Sequence, residues 1–117
     1  MGTLKITNLL VSSNLGYETH LHNFRQDLLV NISLNYNSGL EEASDNPSDS
    51  LDVMRLTKEI IGMAETGHFN LLEAFTRMVL NTVLEYPRVN SATVEVIISK
   101  SIQFSGELSF VLSGSNR

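Results

Sequence analysis

The chain has 117 residues, 42% hydrophobic and 18% charged, which is the size and make-up of one globular domain spanning residues 1–117 with little core to spare. Thirteen acidic residues against eight basic give a net charge of −5, and the Lys and Arg are scattered, which argues against nucleic acid or an anionic membrane as a partner. The lack of cysteine excludes disulfides, thiolate catalysis and cysteine-ligated zinc. No apolar run approaches the ~20 residues a membrane span needs, so a cytoplasmic protein is expected.

Residues 3 to 13 read as a first strand with Leu4 and Ile6 on one face, broken at Asn14-Leu15-Gly16. A polar loop carries Tyr17, Glu18, His20 and His22. From Gln26 the alternation is regular. Leu28, Val30, Ile32, Leu34 and Tyr36 share one face and Asp27, Asn31, Ser33 and Asn35 the other, as in a half-buried strand. Residues 37 to 48 are rich in Ser, Gly, Asn and acidic residues and read as a loop.

A helix is expected from Asp49 or Ser50, carrying Leu51, Met54, Ile60, Ile61 and Ala64 and ended by Gly67. A second follows an Asn70 cap, with Leu71, Leu72, Phe75, Met78, Val79 and Val83 at helical spacing, and Tyr86-Pro87 stops it. Residues 93 to 100 and 107 to 113 give two more strands. The expected order is ββααββ, an α+β domain with a four-stranded antiparallel sheet and two helices on one face. Its well-patterned strands leave edges to be covered or paired, and association through the sheet is expected.

Three places carry candidate chemistry. In Asn70-Leu71-Leu72-Glu73 a capping box is expected: Asn70 accepts from a first-turn N–H and Glu73 reaches back to the Asn70 amide, with Phe69 packed over Ala74. The functional alternative makes Glu73 the acceptor for two parallel N–H groups of a flat heterocycle such as a pterin or guanine. Lys100, at the end of a strand, reads either as a solvated edge lysine or as an ammonium that moves protons through a bound water. His20 and His22 are spaced to share a metal, but with no evident third ligand no metal is expected. Nucleophile, phosphate-loop and dinucleotide motifs do not occur.

Several stretches, in order, resemble one family. Ile6-Thr7-Asn8-Leu9, Gly16 with Gln26-Asp27 ten residues on, Asp49-Ser50-Leu51, Phe69-Asn70-Leu71-Leu72-Glu73 and Ser99-Lys100 are together similar to the dihydroneopterin aldolases and dihydroneopterin triphosphate epimerases, with Arg25-Gln26-Asp27 closest to the epimerase branch. The resemblance implies a tunnelling fold, with subunits pairing their sheets into an oligomeric barrel (a tetramer or octamer) and pterin sites shared between two chains. It implies a lyase or epimerase of folate and tetrahydropterin biosynthesis. Such an enzyme cleaves 7,8-dihydroneopterin to 6-hydroxymethyl-dihydropterin and glycolaldehyde, or epimerises its side chain, without cofactor or metal.

By the same resemblance Glu73 anchors the pterin edge, the backbone at Leu51 and Leu72 holds other ring atoms, and Lys100 is the acid/base group. Two positions depart from the family: Val53 stands where it places a tyrosine, and Leu21 where it places a glutamate. Glu18, His20 and His22 are the candidate loop substitutes. A lost proton-transfer partner commonly costs roughly 10²–10⁴-fold in rate, so the alternative is a catalytically impaired paralogue that binds a pterin or purine without efficient turnover.

Overall fold

A computed structural model of the chain describes residues 1–16, 25–98 and 106–116. The strand of regular alternation, β2 (Arg25–Tyr36), interrupted only by Leu29, lies at the middle of the sheet, and its Leu28, Val30, Ile32 and Leu34 are all buried. β1 (Gly2–Leu15) pairs antiparallel with it on one side and β4 (Val89–Ile98) on the other. β1 turns residues of both parities to the core, the half-buried Leu4 and Ile6 early and the buried Val11 and Leu15 late, and a strand can do that on one face only by gaining a residue. The register shifts between Ile6 and Leu9, where Asn8 takes a left-handed φ of 59° and donates its amide to Asn31 Oδ1 at 2.6 Å. Asparagine tolerates that conformation better than most residues.

β5 (Leu108–Ser115) pairs antiparallel with β4 at one edge. The other edge is β3 (His68–Phe69), two residues running parallel to Asn14-Leu15. The sheet is thus five-stranded and mixed, in the order β3-β1-β2-β4-β5, rather than four-stranded and antiparallel as expected. A two-residue strand has no alternation to betray it; β3 exists because the chain between the two long helices lies against the end of β1.

Both long helices cover one face. α2 (Val53–Thr66) contributes Leu56, Ile60 and Ala64, and α3 (Leu72–Leu84) contributes Leu72, Phe75, Val79, Leu80 and Val83. α3 approaches β5 so closely at Gly114 that a β-carbon there would lie 3.1 Å from Leu84 Cδ1. The helix-free face is laced across strands by Thr3–Asn35–Ser91 and Asn31–Glu95 hydrogen bonds at one end and carries the apolar row Leu10, Leu29 and Ile97 toward the other.

Two further expectations shift. The loop at 37–48 contains a short helix, α1 (Gly39–Ser44), followed by a 3-10 turn at Pro47–Asp49; neither buries a residue, so neither leaves an apolar period in the sequence. The next helix begins at Val53, because Asp52 caps it by accepting Arg55 N–H at 3.0 Å.

Candidate active site

The start of α3 differs from the expected capping box. The N-cap is Leu71, extended at φ −127° and ψ 144°, and no side chain caps the helix. The first helical bond runs from Phe75 N–H to Leu71 O at 3.2 Å, so the N–H groups of Leu72, Glu73 and Ala74 stand outside the helical ladder. Glu73 is exposed in this first turn, with its carboxylate unengaged by any described residue. Asn70 falls one residue too early to cap, because Leu71 remains in extended conformation. Phe69 packs edge-on against Phe75, centroids 5.2 Å apart, instead of over Ala74. The result is an acceptor carboxylate and free backbone donors side by side, the complement of a flat ring edge that offers both donors and acceptors.

The surroundings hold this corner firmly. Gly16 donates to Phe69 O at 2.9 Å, and a side chain on Gly67 would meet the Phe69 ring at 2.8 Å. The Gln26 side-chain amide donates to Leu15 O. Arg25 donates to Ser12 O at 3.3 Å and to Glu65 O at 2.8 Å, so its guanidinium satisfies a carbonyl of the last turn of α2. Arg25 and Gln26 therefore brace the site end of β1.

Leu51 and Val53 sit elsewhere. Both are half-buried at the start of α2, where Val53 N–H donates to Leu51 O at 2.9 Å and Leu51 N–H to Glu41 Oε2 at 3.3 Å. Arg88 fixes the region, donating to Asp49 O at 3.0 Å, Asn37 O at 3.1 Å and Glu41 Oε1 at 2.8 Å. Its guanidinium holds the Glu41 carboxyl below the usual carboxylate range, opposed only by partial desolvation. Arg88 and Glu41 escaped the sequence reading, in which Tyr86-Pro87-Arg88 signals only a turn.

The sheet register shows how these groups lie. Ile98 pairs with Leu28, which pairs with Val11, at the end of the sheet where Leu15, Phe69 and Glu73 gather. Val89 pairs with Tyr36, which pairs with Gly2, at the end of Arg88, Leu51 and Val53. Leu72 and Glu73 are thus separated from Leu51 and Val53 by the length of α3, ~20 Å for a helix of this size. Lys100, Leu21, Glu18, His20 and His22 lie outside the described residues. Among the described residues no cluster of three His, Asp or Glu could hold a metal, and no helix is long and apolar enough to cross a membrane.

Comparison with known proteins agrees with this frame. The family model described as dihydroneopterin aldolase matches residues 4–109. The Escherichia coli K12 dihydroneopterin triphosphate 2′-epimerase is 30% identical over 110 residues, covering 94% of this chain and 92% of that protein. Its Pseudomonas aeruginosa namesake is 28% identical over 114 residues, covering 97% and 93%. In fold, the chain superposes on E. coli dihydroneopterin aldolase in complex with neopterin with a TM-score of 0.90 at 16% identity, covering 98% of this chain and all 100% of that one. A Burkholderia dihydroneopterin aldolase bound to guanine gives 0.82 at 15% identity, covering 99% and 92%. These matches do not favour the impaired paralogue. The chain belongs to the dihydroneopterin aldolase family and is an enzyme of the pterin pathway.

Proposed function

We propose that this enzyme works in the cytoplasm on the side chain of a 7,8-dihydroneopterin-type substrate, with epimerisation at the second side-chain carbon as its main reaction and retro-aldol cleavage as a branch of the same chemistry. The observation that carries the choice is the near-full-length similarity to two proteins named as triphosphate 2′-epimerases, where the aldolase structures share only the fold. Glu73 accepts the ring's paired N–H donors while the free N–H of Leu72 holds a ring acceptor. A base removes the proton of the second side-chain hydroxyl and the bond between the first and second side-chain carbons breaks. The electron pair passes into the pterin ring and a hydroxyaldehyde forms. Protonation of the first side-chain carbon then completes cleavage; re-addition of that same carbon to the other face of the aldehyde re-forms the broken bond and completes epimerisation.

Lys100, acting through a water, is the proton-transfer group of this proposal. β4 brings the chain to the Glu73 end at Ile98, two residues before it in sequence. The ~20 Å between Glu73 and Leu51 supports a site built from two copies, the Glu73 end of one meeting the Leu51 and Val53 end of the next. Leu71 at the first end, and Leu40 and Met54 at the second, are each more than half exposed and fit such a contact. Val53 then lines the pocket without offering a phenol, and the leucine at position 21 supplies no carboxylate. Glu18, His20 and His22 are the candidate substitutes, and no metal or cofactor takes part.

The deciding experiment incubates the protein separately with 7,8-dihydroneopterin and its triphosphate and measures epimer and hydroxyaldehyde. Epimer formed faster than aldehyde is expected; turnover of neither compound rejects the proposal. Lys100→Met should abolish turnover with pterin affinity nearly intact, and equal loss of both refutes that division of roles.

A further inference from the structure

We propose that Arg88 and Glu41 form a positioning clamp that sets the backbone at Leu51 for pterin binding, and so govern the enzyme's substrate affinity rather than its chemistry. This rests on the functional reading above, in which the Leu51 end of one copy contacts the ring. The segment leading to Leu51 is poorly held by burial: α1 and the Pro47–Asp49 turn bury no residue, and Leu51 itself reaches the core only in part. One guanidinium gathers it. Arg88 binds the carbonyls of Asn37 and Asp49 and one oxygen of Glu41, and stacks over the Tyr36 ring at 5.5 Å from its centroid.

The second oxygen of the same Glu41 carboxylate takes the Leu51 N–H. The chain of contact is therefore Arg88 to Glu41 to Leu51, anchored on a turn that directly precedes β4 and so on the rigid sheet. The other acidic groups nearby are differently engaged, Asp49 by Ser44 Oγ at 2.7 Å and Glu42 by Ser38. The guanidinium serves the three acceptors from two separate nitrogens, one on Asp49 O and the other on Asn37 O and Glu41 Oε1, whereas the three donors of a lysine radiate from a single atom. Holding the ring-contacting backbone in place beforehand removes an ordering cost from binding and leaves proton transfer alone.

The test uses the full chain with Arg88→Ala, Arg88→Lys and Glu41→Gln, reading kcat and KM for 7,8-dihydroneopterin and its triphosphate, neopterin affinity, and amide hydrogen exchange across residues 49–53. Arg88→Ala should raise KM about tenfold, the worth of one net charge-assisted hydrogen bond, with kcat within about twofold. Arg88→Lys should fall between it and the wild type, and exchange at Leu51 should rise in the order of the KM values. Should Arg88→Ala not fold, Glu41→Gln, of equal size and lacking the charge, reports the same link. A lowered melting temperature with KM, affinity and exchange unmoved overturns the clamp and leaves a mere brace, as does a fall in kcat without a rise in KM. A wild type that neither binds neopterin nor turns over substrate defeats the functional reading instead, and the two failures are thereby distinguished.

Discussion

Glu73 is the residue on which the proposed recognition depends, and its physical state favours that role. A glutamate three residues after an asparagine would ordinarily be occupied by its own helix start. Here the helix begins later, the carboxylate faces outward, and the adjacent N–H groups have no helical acceptor. Glu73→Gln puts a donor where the ring also presents donors. It should weaken pterin binding by roughly 1–3 kcal/mol, the cost of a spoiled buried hydrogen bond, as measured by calorimetry. Unchanged affinity would leave Glu73 without a part in binding.

Tyr86 offers a second test at this scale. Its hydroxyl donates to Glu59 Oε1 at 2.7 Å, and burial, reinforced by that carboxylate, pushes its pKa up to about 12. An unfolded tyrosine ionises near pH ~10. The phenol's contribution to stability is therefore fully present below pH ~10 and is lost as pH rises toward about 12, because the unfolded chain gives up the proton first. The stability advantage of the wild type over Tyr86→Phe should shrink across that window in melts at stepped pH. An advantage that is constant or grows would contradict the assignment.

At the scale of elements, the site depends on how α3 is seated. Phe75 is fully buried one turn into α3 and takes the edge of the Phe69 ring, which joins the helix to β3 and β3 to the end of β1. Phe75→Ala should cost about 3–5 kcal/mol in denaturant unfolding, the usual penalty for emptying a core aromatic site, and should loosen the Glu73 corner along with the core. A loss below ~1 kcal/mol would mean that the corner is held mainly by Arg25, Gln26 and Gly16. The elements that the sequence reading placed best are those whose burial has a period: β2, the body of β4 and most of the buried faces of α2 and α3, although Met54 and Leu71, expected on those faces, are exposed and Leu56, not named among them, is fully buried. Those it missed, α1 and β3, either bury nothing or are too short for a period to exist, and the Asn70 cap failed because a conformational choice at Leu71 lies outside any local pattern.

At the scale of the whole molecule, one chain carries the two halves of the proposed pocket at opposite ends of its helical layer. A monomer cannot close a site across ~20 Å with a single pterin, whose ring system is far shorter. Light scattering should give the mass of a tetramer or octamer, and activity should fall with dilution as the assembly dissociates. A fully active monomer would refute the shared site.

The linear order of residues was enough to point to a helix-on-sheet domain, through periodicity, and, through the resemblance of short stretches in order, to a pterin-pathway family with Glu73 as its candidate recognition group. Only the folded chain decided that Glu73 is free of its own helix, that Leu51 and Val53 lie far from it, and that Arg88 reaches back across 39 residues to Asp49 to hold the approach to α2. Those facts rest on where the ends of strands meet and on which acceptors remain unused. Both are settled by tertiary pairing, and neither leaves a local mark on the sequence.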